Sequence, residues 1–428
     1  MPQSPQDRDV SAADEATAPP STPLRAPREG VPQLLASGAE TAAFAERLGE
    51  GTGPVAVDTE RASGYRYSGR AYLVQVRRAG VGSALIDPTE AGPLDALARA
   101  LNPLEWVLHS ADQDLPCLAE IGLHPAALFD TELAGRLLNQ GKVNLAAMVE
   151  REFGLLLAKQ HGAADWSRRP LPADWLNYAA LDVELLVELR DALSDQLRAQ
   201  GKSEWARQEF EHIRTAPPPA PRPDRWRKTS GIHKVRARRR LAAVRALWTA
   251  RDALAESLDR APGRVLPDSA IVEAALADPA TVGELRALKV FGGPRQRKRS
   301  ALWLDALAEA RALPDSALPP QRPAGGIPPA GRWPAARPEA ADRLAVARET
   351  VAALAEANDL PAENVLEPRV LRELCWNWGE IPSGDGADAG AESLARIDSL
   401  LHSAGARDWQ CEITAEALAD AFRQHARN

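Results

Sequence analysis

The stretch Val55-Ala56-Val57-Asp58-Thr59-Glu60 decides how this chain is read. Its small and β-branched residues predict a short buried strand, and it closes on two carboxylates. Strand side chains repeat every second residue, so Asp58 and Glu60 point to one face while Val55 and Val57 point to the other. Two acids side by side repel each other and resist burial, and a hard divalent cation such as Mg²⁺ or Mn²⁺ is the usual compensation. A solvent-facing strand end carries the same pair without any cation, so partners elsewhere in the chain must decide.

Outward from this strand the pattern is regular. A helix over Glu40–Leu48 precedes it, and Tyr72–Arg77, a turn at Ala79–Gly82 and Ala84–Pro88 follow as a β-hairpin. Three antiparallel strands therefore open the domain. Next come a helix near Leu94–Leu101, a strand at Trp106–Leu108, a helix over Leu115–Ile121, a short strand at Leu128–Phe129 and a helix over Glu132–Leu138. Helical patterns at Leu145–Phe153 and Ala173–Leu197 complete the unit. Antiparallel strands followed by β-α-β units predict an α/β domain, a mixed sheet flanked by helices, with metal chemistry at strand ends.

At 428 residues and 46.1 kDa the chain is too long for one core. Residues 1–30, rich in Pro, Ser and Ala, predict a disordered tail, and 31–214 the α/β domain. Residues 215–223 form a Pro-rich linker, and 313–338, with eight prolines and a Gly-Gly, form a second. Between and after them lie two small all-α domains, 224–312 and 339–428, which read as a diverged repeat. Their predicted helices are Leu241–Leu258, Ala270–Leu276, Val282–Leu288 and Ser300–Ala312, then Ala340–Ala357, Pro368–Trp378, Ala391–Ser403 and Thr414–His425.

The net charge of −7 conceals an asymmetry: residues 222–312 hold 20 basic and 10 acidic groups, a balance of +10, whereas 338–428 hold 8 and 17, a balance of −9. Cys117, Cys375 and Cys411 are far apart and lack C-x-x-C spacing, so their spacing indicates neither a zinc site nor a disulfide framework. No apolar run reaches membrane-span length, and the N-terminus lacks a basic region followed by an apolar core. A cytoplasmic protein without a membrane partner is expected, and no obligate protein partner is evident.

Asp114 lies where the Trp106–Leu108 strand gives way to a helix, within reach of the sheet's end. Asp112 beside it suits the N-cap of that helix. Tyr178 and Asp182 stand at i and i+4 of a predicted helix and project together. A half-buried Tyr and an exposed Asp on an amphipathic helix give the same pattern.

In order, D-x-E, D and Y-x-x-x-D across about 150 residues of a mixed sheet resemble the DEDDy family of 3′→5′ exonucleases. Leu128-Phe129-Asp130-Thr131, Asp165-Trp166-Ser167-Arg168-Arg169-Pro170-Leu171 and the Pro-linked helical modules extend the match over roughly residues 32–428 to the bacterial ribonuclease D group. That group carries an exonuclease domain of ribonuclease H-like fold followed by HRDC domains. The resemblance implies that Asp58, Glu60 and Asp182 hold one Mg²⁺ or Mn²⁺, that Asp58 bridges to a second, and that Asp114 supports the second ion. Tyr178 would orient the attacking water. The implied reaction is the trimming of RNA with a free 3′ end, precursor tRNA or other structured RNA, into nucleoside 5′-monophosphates. A DNA exonuclease of the same group and a non-catalytic RNA-binding protein on the same fold are the rivals.

Gln75, His109, Lys159 and Arg169 are further candidates for contacts to the terminal nucleotide or its phosphates, with structural roles equally open. For nucleic-acid binding the candidates are Arg227, Lys228, Lys234 and Arg236, around Trp226, and Arg295, Arg297, Lys298 and Arg299. A solvated charged face is the alternative. The acidic last domain is expected to pack on the rest of the chain, with Trp376, Trp378 and Trp409 in its core and a flexible loop at Ser383–Gly390.

Overall fold

The computed structural model describes residues 21–157, 162–218, 223–322, 326–379 and 387–427. Along the chain the strands are β1 (Thr22–Leu24), β2 (Leu34–Leu35), β3 (Thr52–Arg61), β4 (Ala71–Ala79), β5 (Gly82–Ile86), β6 (Glu105–Leu108), β7 (Ala127–Asp130) and β8 (Leu155–Leu157). Six of them form one mixed sheet in the order β2-β5-β4-β3-β6-β7, antiparallel at β3–β4 and β4–β5 and parallel at β2–β5, β3–β6 and β6–β7. Gly80 and Gly82 take φ of 82° and 86° in the β4–β5 turn, a region that favours glycine. The opening hairpin and the β-α-β alternation thus follow the hydrophobic pattern.

β3 lies inside the sheet with a buried layer on each face. Val74 and Val76 of the neighbouring β4 belong to the core of Phe44, Leu48, Val55 and Val57, whereas Leu73 belongs to that of Leu85, Trp166, Ala179 and Ala180. Alternation along the strands makes this division. The second layer is the helix Ala173–Glu184, whose buried Ala179, Ala180 and Val183 let its backbone approach the sheet closely.

The sequence expectation of one helix over Ala173–Leu197 is corrected: Leu185 at φ −120°, ψ 7° divides it into Ala173–Glu184 and Leu186–Ala199. The break adjoins Glu184, whose fully buried carboxylate takes the Arg28 N–H at 3.1 Å and the Arg77 guanidinium at 3.4 Å. The helix Ser203–Arg214 went unforeseen, and its Phe210 packs on Phe129 with ring centroids 4.7 Å apart.

The tail boundary also moves. Residues 21–30 are ordered because β1 pairs with β8 in a separate two-stranded sheet and Asn177 donates to Arg25 O at 2.8 Å. Residues 1–20 lie outside the described residues, as do 219–222 of the first linker and 380–386, which include the first half of the expected Ser383–Gly390 loop. The helix expected from Ala391 begins at Ala387.

The second linker is largely built into its neighbours. Arg227 donates to Pro320 O at 2.8 Å and Arg238 to Leu318 O at 2.7 Å, since a proline-rich segment offers carbonyls with few N–H groups of its own. Further along, Trp333 is fully buried, donates to Pro328 O at 2.7 Å and meets the Trp376 ring at 5.1 Å.

The helical modules show a register of 100 residues: Arg238–Ser257, Pro262–Val265 and Asp268–Ala277 recur as Pro338–Ala357, Ala362–Val365 and Pro368–Asn377. Each has a left-handed aspartate at the same place, Asp259 (φ 41°) and Asp359 (φ 48°), and each aspartate docks on the α/β domain. Asp259 accepts from Ser68 N and Oγ at 2.9 Å. Asp359 accepts from Asn139 at 2.7 Å through its side chain and from Lys202 at 2.9 Å through its carbonyl.

Arg169, a sequence candidate for phosphate contact, is instead an internal tie. It pairs with the buried Asp87 at 2.5 and 2.8 Å and donates to Tyr72 O and Trp166 O at 2.8 Å. Arg169→Ala strands a buried carboxylate and is expected to destabilise the α/β domain by about 3 kcal/mol, read from its urea transition. A loss below about 0.5 kcal/mol, the size of an ordinary surface substitution, would contradict this role.

Candidate metal centre

The acidic face of β3 meets the helix Ala173–Glu184. Asp58 stands opposite Gln75 and Glu60 opposite Leu73, so both acids share the face that the helix covers. From the helix, Tyr178 and Asp182 project to the same side, one turn apart. One carboxylate oxygen from each of Asp58, Glu60 and Asp182 lies within 4.8 Å of the others. These groups line one cleft with Arg61, His109, Gln113 and Asp114.

Asp114 occupies the N-cap position of the helix Leu115–Ala119 but makes no capping bond through its side chain. Its buried carboxylate faces the cleft and meets Arg61 Nη2 at 3.3 Å. Asp112, the expected N-cap, is instead exposed in the 3₁₀ turn Ala111–Gln113.

This placement is electrostatically unfavourable for the bare protein. Burial pushes Asp58 up to about 7. Burial and then the Asp58 charge push Asp114 to about 8. Burial and then Asp58 and Asp182 push Glu60 to about 10. Asp182 is raised well above the usual carboxylate range by burial and Asp58, against the hydrogen bond from Tyr178. The Tyr178 phenol also shifts upward, from burial and then Asp182, so it stays protonated at neutral pH. An all-oxygen donor set that resists ionisation until a cation arrives fits a hard divalent metal.

Two residues that sequence reasoning passed over hold this geometry. Arg61 directly follows the D-x-E pair and also donates to Gln113 O at 2.6 Å, joining β3 to the Asp114 turn. Asp130 accepts from four backbone N–H groups, those of Ser110, Ala111, Glu132 and Leu133 at 2.7–3.2 Å, which sustains Ser110 at φ 62°. Its only sequence signal was its place in Leu128-Phe129-Asp130-Thr131.

His109 lines the cleft. Its Nδ1 lies 2.9 Å from Thr131 Oγ1, whose own hydroxyl donates to Leu108 O at 3.2 Å. Thr131 therefore accepts from His109 Nδ1–H, and Nε2 remains an acceptor. Burial lowers the imidazole to about 4, so it is neutral at pH 7. Gln75 is fully buried and donates weakly to Asp58 at 3.4 Å, which removes it from any nucleotide contact in this conformation.

Lys159 lies outside the described residues. Among the basic candidates, Arg227 is a correction: it pairs with Asp224 at 3.1 Å, bonds to Pro320 O and covers the buried Trp226 ring at 4.3 Å. Lys228, Lys234 and Arg236 are exposed, as are Arg295, Arg297 and Lys298, while Arg299 is half-buried. Gln296 between them fastens their turn by donating to Val265 O at 2.6 Å.

Known proteins share these modules. Residues 33–198 match the family model for a 3′-5′ exonuclease, 240–307 that for an HRDC domain, and 326–422 that for a 3′ to 5′ exonuclease C-terminal domain. The chain is similar to the ribonuclease D of Acidiphilium cryptum, 32% identical over 326 residues that span 72% of this chain and 80% of that one. Among solved structures it is similar to a protein from Bifidobacterium adolescentis, with TM-score 0.84, 37% identity, and 94% and 100% of the two chains covered. Escherichia coli RNase D, described as an exoribonuclease involved in structured RNA processing, shares the fold at TM-score 0.64 and 24% identity, over 87% and 99% of the chains.

Because the folded-state carboxyl groups titrate above their unfolded values near 4, the metal-free folded state binds more protons than the unfolded chain. Its stability should fall as pH rises from about 4 to about 8, and a divalent metal should restore it. In thermal unfolding with EDTA, Tm is expected to be lower at pH 8 than at pH 5.5, with a larger gain from Mn²⁺ at pH 8. Asp58→Asn should raise the EDTA Tm by about 2–4 °C. A metal gain independent of pH would contradict the repulsion.

Proposed function

The chain belongs to the ribonuclease D family of 3′→5′ exoribonucleases, and we propose that it trims the 3′ ends of structured RNA, precursor tRNA foremost, releasing nucleoside 5′-monophosphates in the cytoplasm. It is a hydrolytic exoribonuclease of a metal-dependent family. The observation that carries the finer reading is the meeting of Asp58, Glu60 and Asp182 oxygens within 4.8 Å beside a neutral phenol.

In this reading Asp58, Glu60 and Asp182 would hold one Mg²⁺ or Mn²⁺, and Asp58 and Asp114 would help hold a second. Two such ions, when bound, supply an activated water and relief of charge on the leaving 3′ oxygen. Tyr178 gives its hydrogen bond to Asp182 and holds the water in line with the terminal phosphodiester, without taking its proton. Arg61 limits the negative charge on Asp114. His109 Nε2 accepts from a hydroxyl of the terminal ribose. Lys228, Lys234, Arg236 and the Arg295–Arg299 turn supply sequence-independent contacts to RNA phosphates. The described exoribonuclease role of the E. coli relative in structured RNA processing supports the choice of substrate.

The test is direct. Incubation with 3′-hydroxyl RNA and matched DNA, in Mg²⁺ or EDTA, is expected to show stepwise RNA shortening from the 3′ end that needs the metal and vanishes in Asp58→Asn. Preferential DNA degradation would select a deoxyribonuclease, and binding without cleavage a non-catalytic protein. Tyr178→Phe is expected to lower kcat about 100-fold with KM little changed. Replacing Arg295, Arg297, Lys298 and Arg299 together by Ala should weaken RNA binding and reduce its log–log salt slope by about 0.7 for each phosphate no longer neutralised. An unchanged slope would remove these residues from the interface.

A further inference from the structure

A second cluster of ligating atoms lies far from the exonuclease cleft, on the last helical hairpin. The helices Ala387–Ser403 and Asp408–Arg427 are joined by the short turn 404–407, and Asp398, His402 and Cys411 converge beside it. His402 Nδ1 is 3.4 Å from Asp398 Oδ2 and 3.6 Å from Cys411 Sγ, and the three ligand atoms lie within 4.8 Å of one another. The N···O distance exceeds that of a good N–H···O hydrogen bond, about 2.7–3.2 Å. The two distances agree with the edges of a zinc tetrahedron: bonds of about 2.05 Å to N or O and 2.3 Å to S require edges of about 3.4 Å for N···O and 3.6 Å for N···S.

On its other side, His402 Nε2 meets Asp408 Oδ1 at 3.1 Å. A carboxylate on the second ring nitrogen is the arrangement that orients a metal-bound imidazole. It directs the Nδ1 lone pair toward Asp398 and Cys411 once Nδ1 is unprotonated. Without metal, Nδ1–H donates to Asp398 O at 2.9 Å. Cys411 is buried, whereas His402 and Asp398 are accessible, leaving a fourth position to water.

We propose that Asp398, His402 and Cys411 bind one zinc-class divalent ion, with Asp408 as the positioning partner of the imidazole. One sulfur, one nitrogen and one oxygen ligand select a borderline-soft metal, in contrast to the all-oxygen cluster at β3. Uptake releases the Cys411 thiol proton, and a second where His402 enters as imidazolium. The absence of paired cysteine spacing concealed the site, because its ligands come from three residue types on two helices.

The location gives the ion a structural task. The same hairpin turn docks the last domain on the helix Ser203–Arg214: Arg407 holds Glu209 at 2.7 and 2.8 Å, Trp409 Nε1 donates to Glu209 at 2.9 Å, and Trp205 stacks on Trp409 with centroids 4.8 Å apart. An ion bridging the helices close to that turn fixes its geometry and thereby the docking.

Co²⁺ titrated into the reduced full chain in excess Mg²⁺ tests this. One equivalent should produce a thiolate-to-cobalt charge-transfer band and tetrahedral d–d bands, both removed by Zn²⁺. The thiolate band should vanish in Cys411→Ser and His402→Gln, persist in Cys117→Ser and Cys375→Ser, and require ~10–100-fold higher metal concentration in Asp408→Asn. His402 is exposed, so His402→Gln separates loss of metal from loss of fold, and circular dichroism checks the latter. No thiolate band at excess Co²⁺, or one surviving both Cys411→Ser and His402→Gln, would overturn the site and leave His402 merely ion-paired.

Discussion

Repulsion among four carboxyl groups that share one half-buried cleft is the constraint to which the rest of the molecule answers. Asp58, Glu60, Asp114 and Asp182 would separate if their supports were soft, because every pair is better solvated apart. The fold prevents this by mounting them on unlike supports: an interior strand, a helix packed on it through alanines, and a turn held by Asp130. Arg61 is the cation that the cleft itself contributes, and it binds both Asp114 and the Gln113 carbonyl. The deep burial of Val55, Ala56 and Val57 therefore serves the site, since a strand with one solvated face would let its end fray.

Support extends beyond the α/β domain. The loop after Glu60 and Arg61 is gripped by the first helical module through Ala261 N to Tyr65 O at 3.0 Å, Arg264 to Gly64 O at 2.6 Å and Tyr67 to Asp252 at 3.1 Å. Many charges of that module are neutralised internally, as in Arg251–Asp268 at 2.5 Å, Arg240–Asp278 at 2.7 Å and Arg311–Asp278 at 3.0 Å. These pairs are already subtracted in the surplus of +10, which is carried by the basic groups left over. What remains exposed concentrates on Lys228–Arg236 and on the Arg295–Lys298 turn.

The legible parts of this protein were those set by short periodicities. Alternation placed Asp58 and Glu60 on one face, helical spacing placed Tyr178 with Asp182, and the mixed sheet followed from the hairpin and its β-α-β sequel. Effects that depend on distant partners were not legible. The Pro-rich start pairs β1 with β8, the last strand among the described residues, and Arg169 finds Asp87 82 residues earlier in the chain. Arg227 looked like a phosphate ligand because sequence does not reveal that Pro320 offers it a carbonyl. Leu185 breaks a helix whose pattern continues through it, because Glu184 is claimed by Arg28 and Arg77.

The left-handed aspartates at 259 and 359 bear on how the two helical modules are attached. An aspartate in that conformation costs on the order of 1 kcal/mol, yet both copies retain it at the corner that touches the α/β domain. Net charge, by contrast, has opposite signs in the two. The two modules thus share a joint and differ in surface: the same corner fastens each to its own place on the α/β domain, while the charge around it takes opposite signs. The pair of modules is a case of one hinge-pin design used twice, on two different doors.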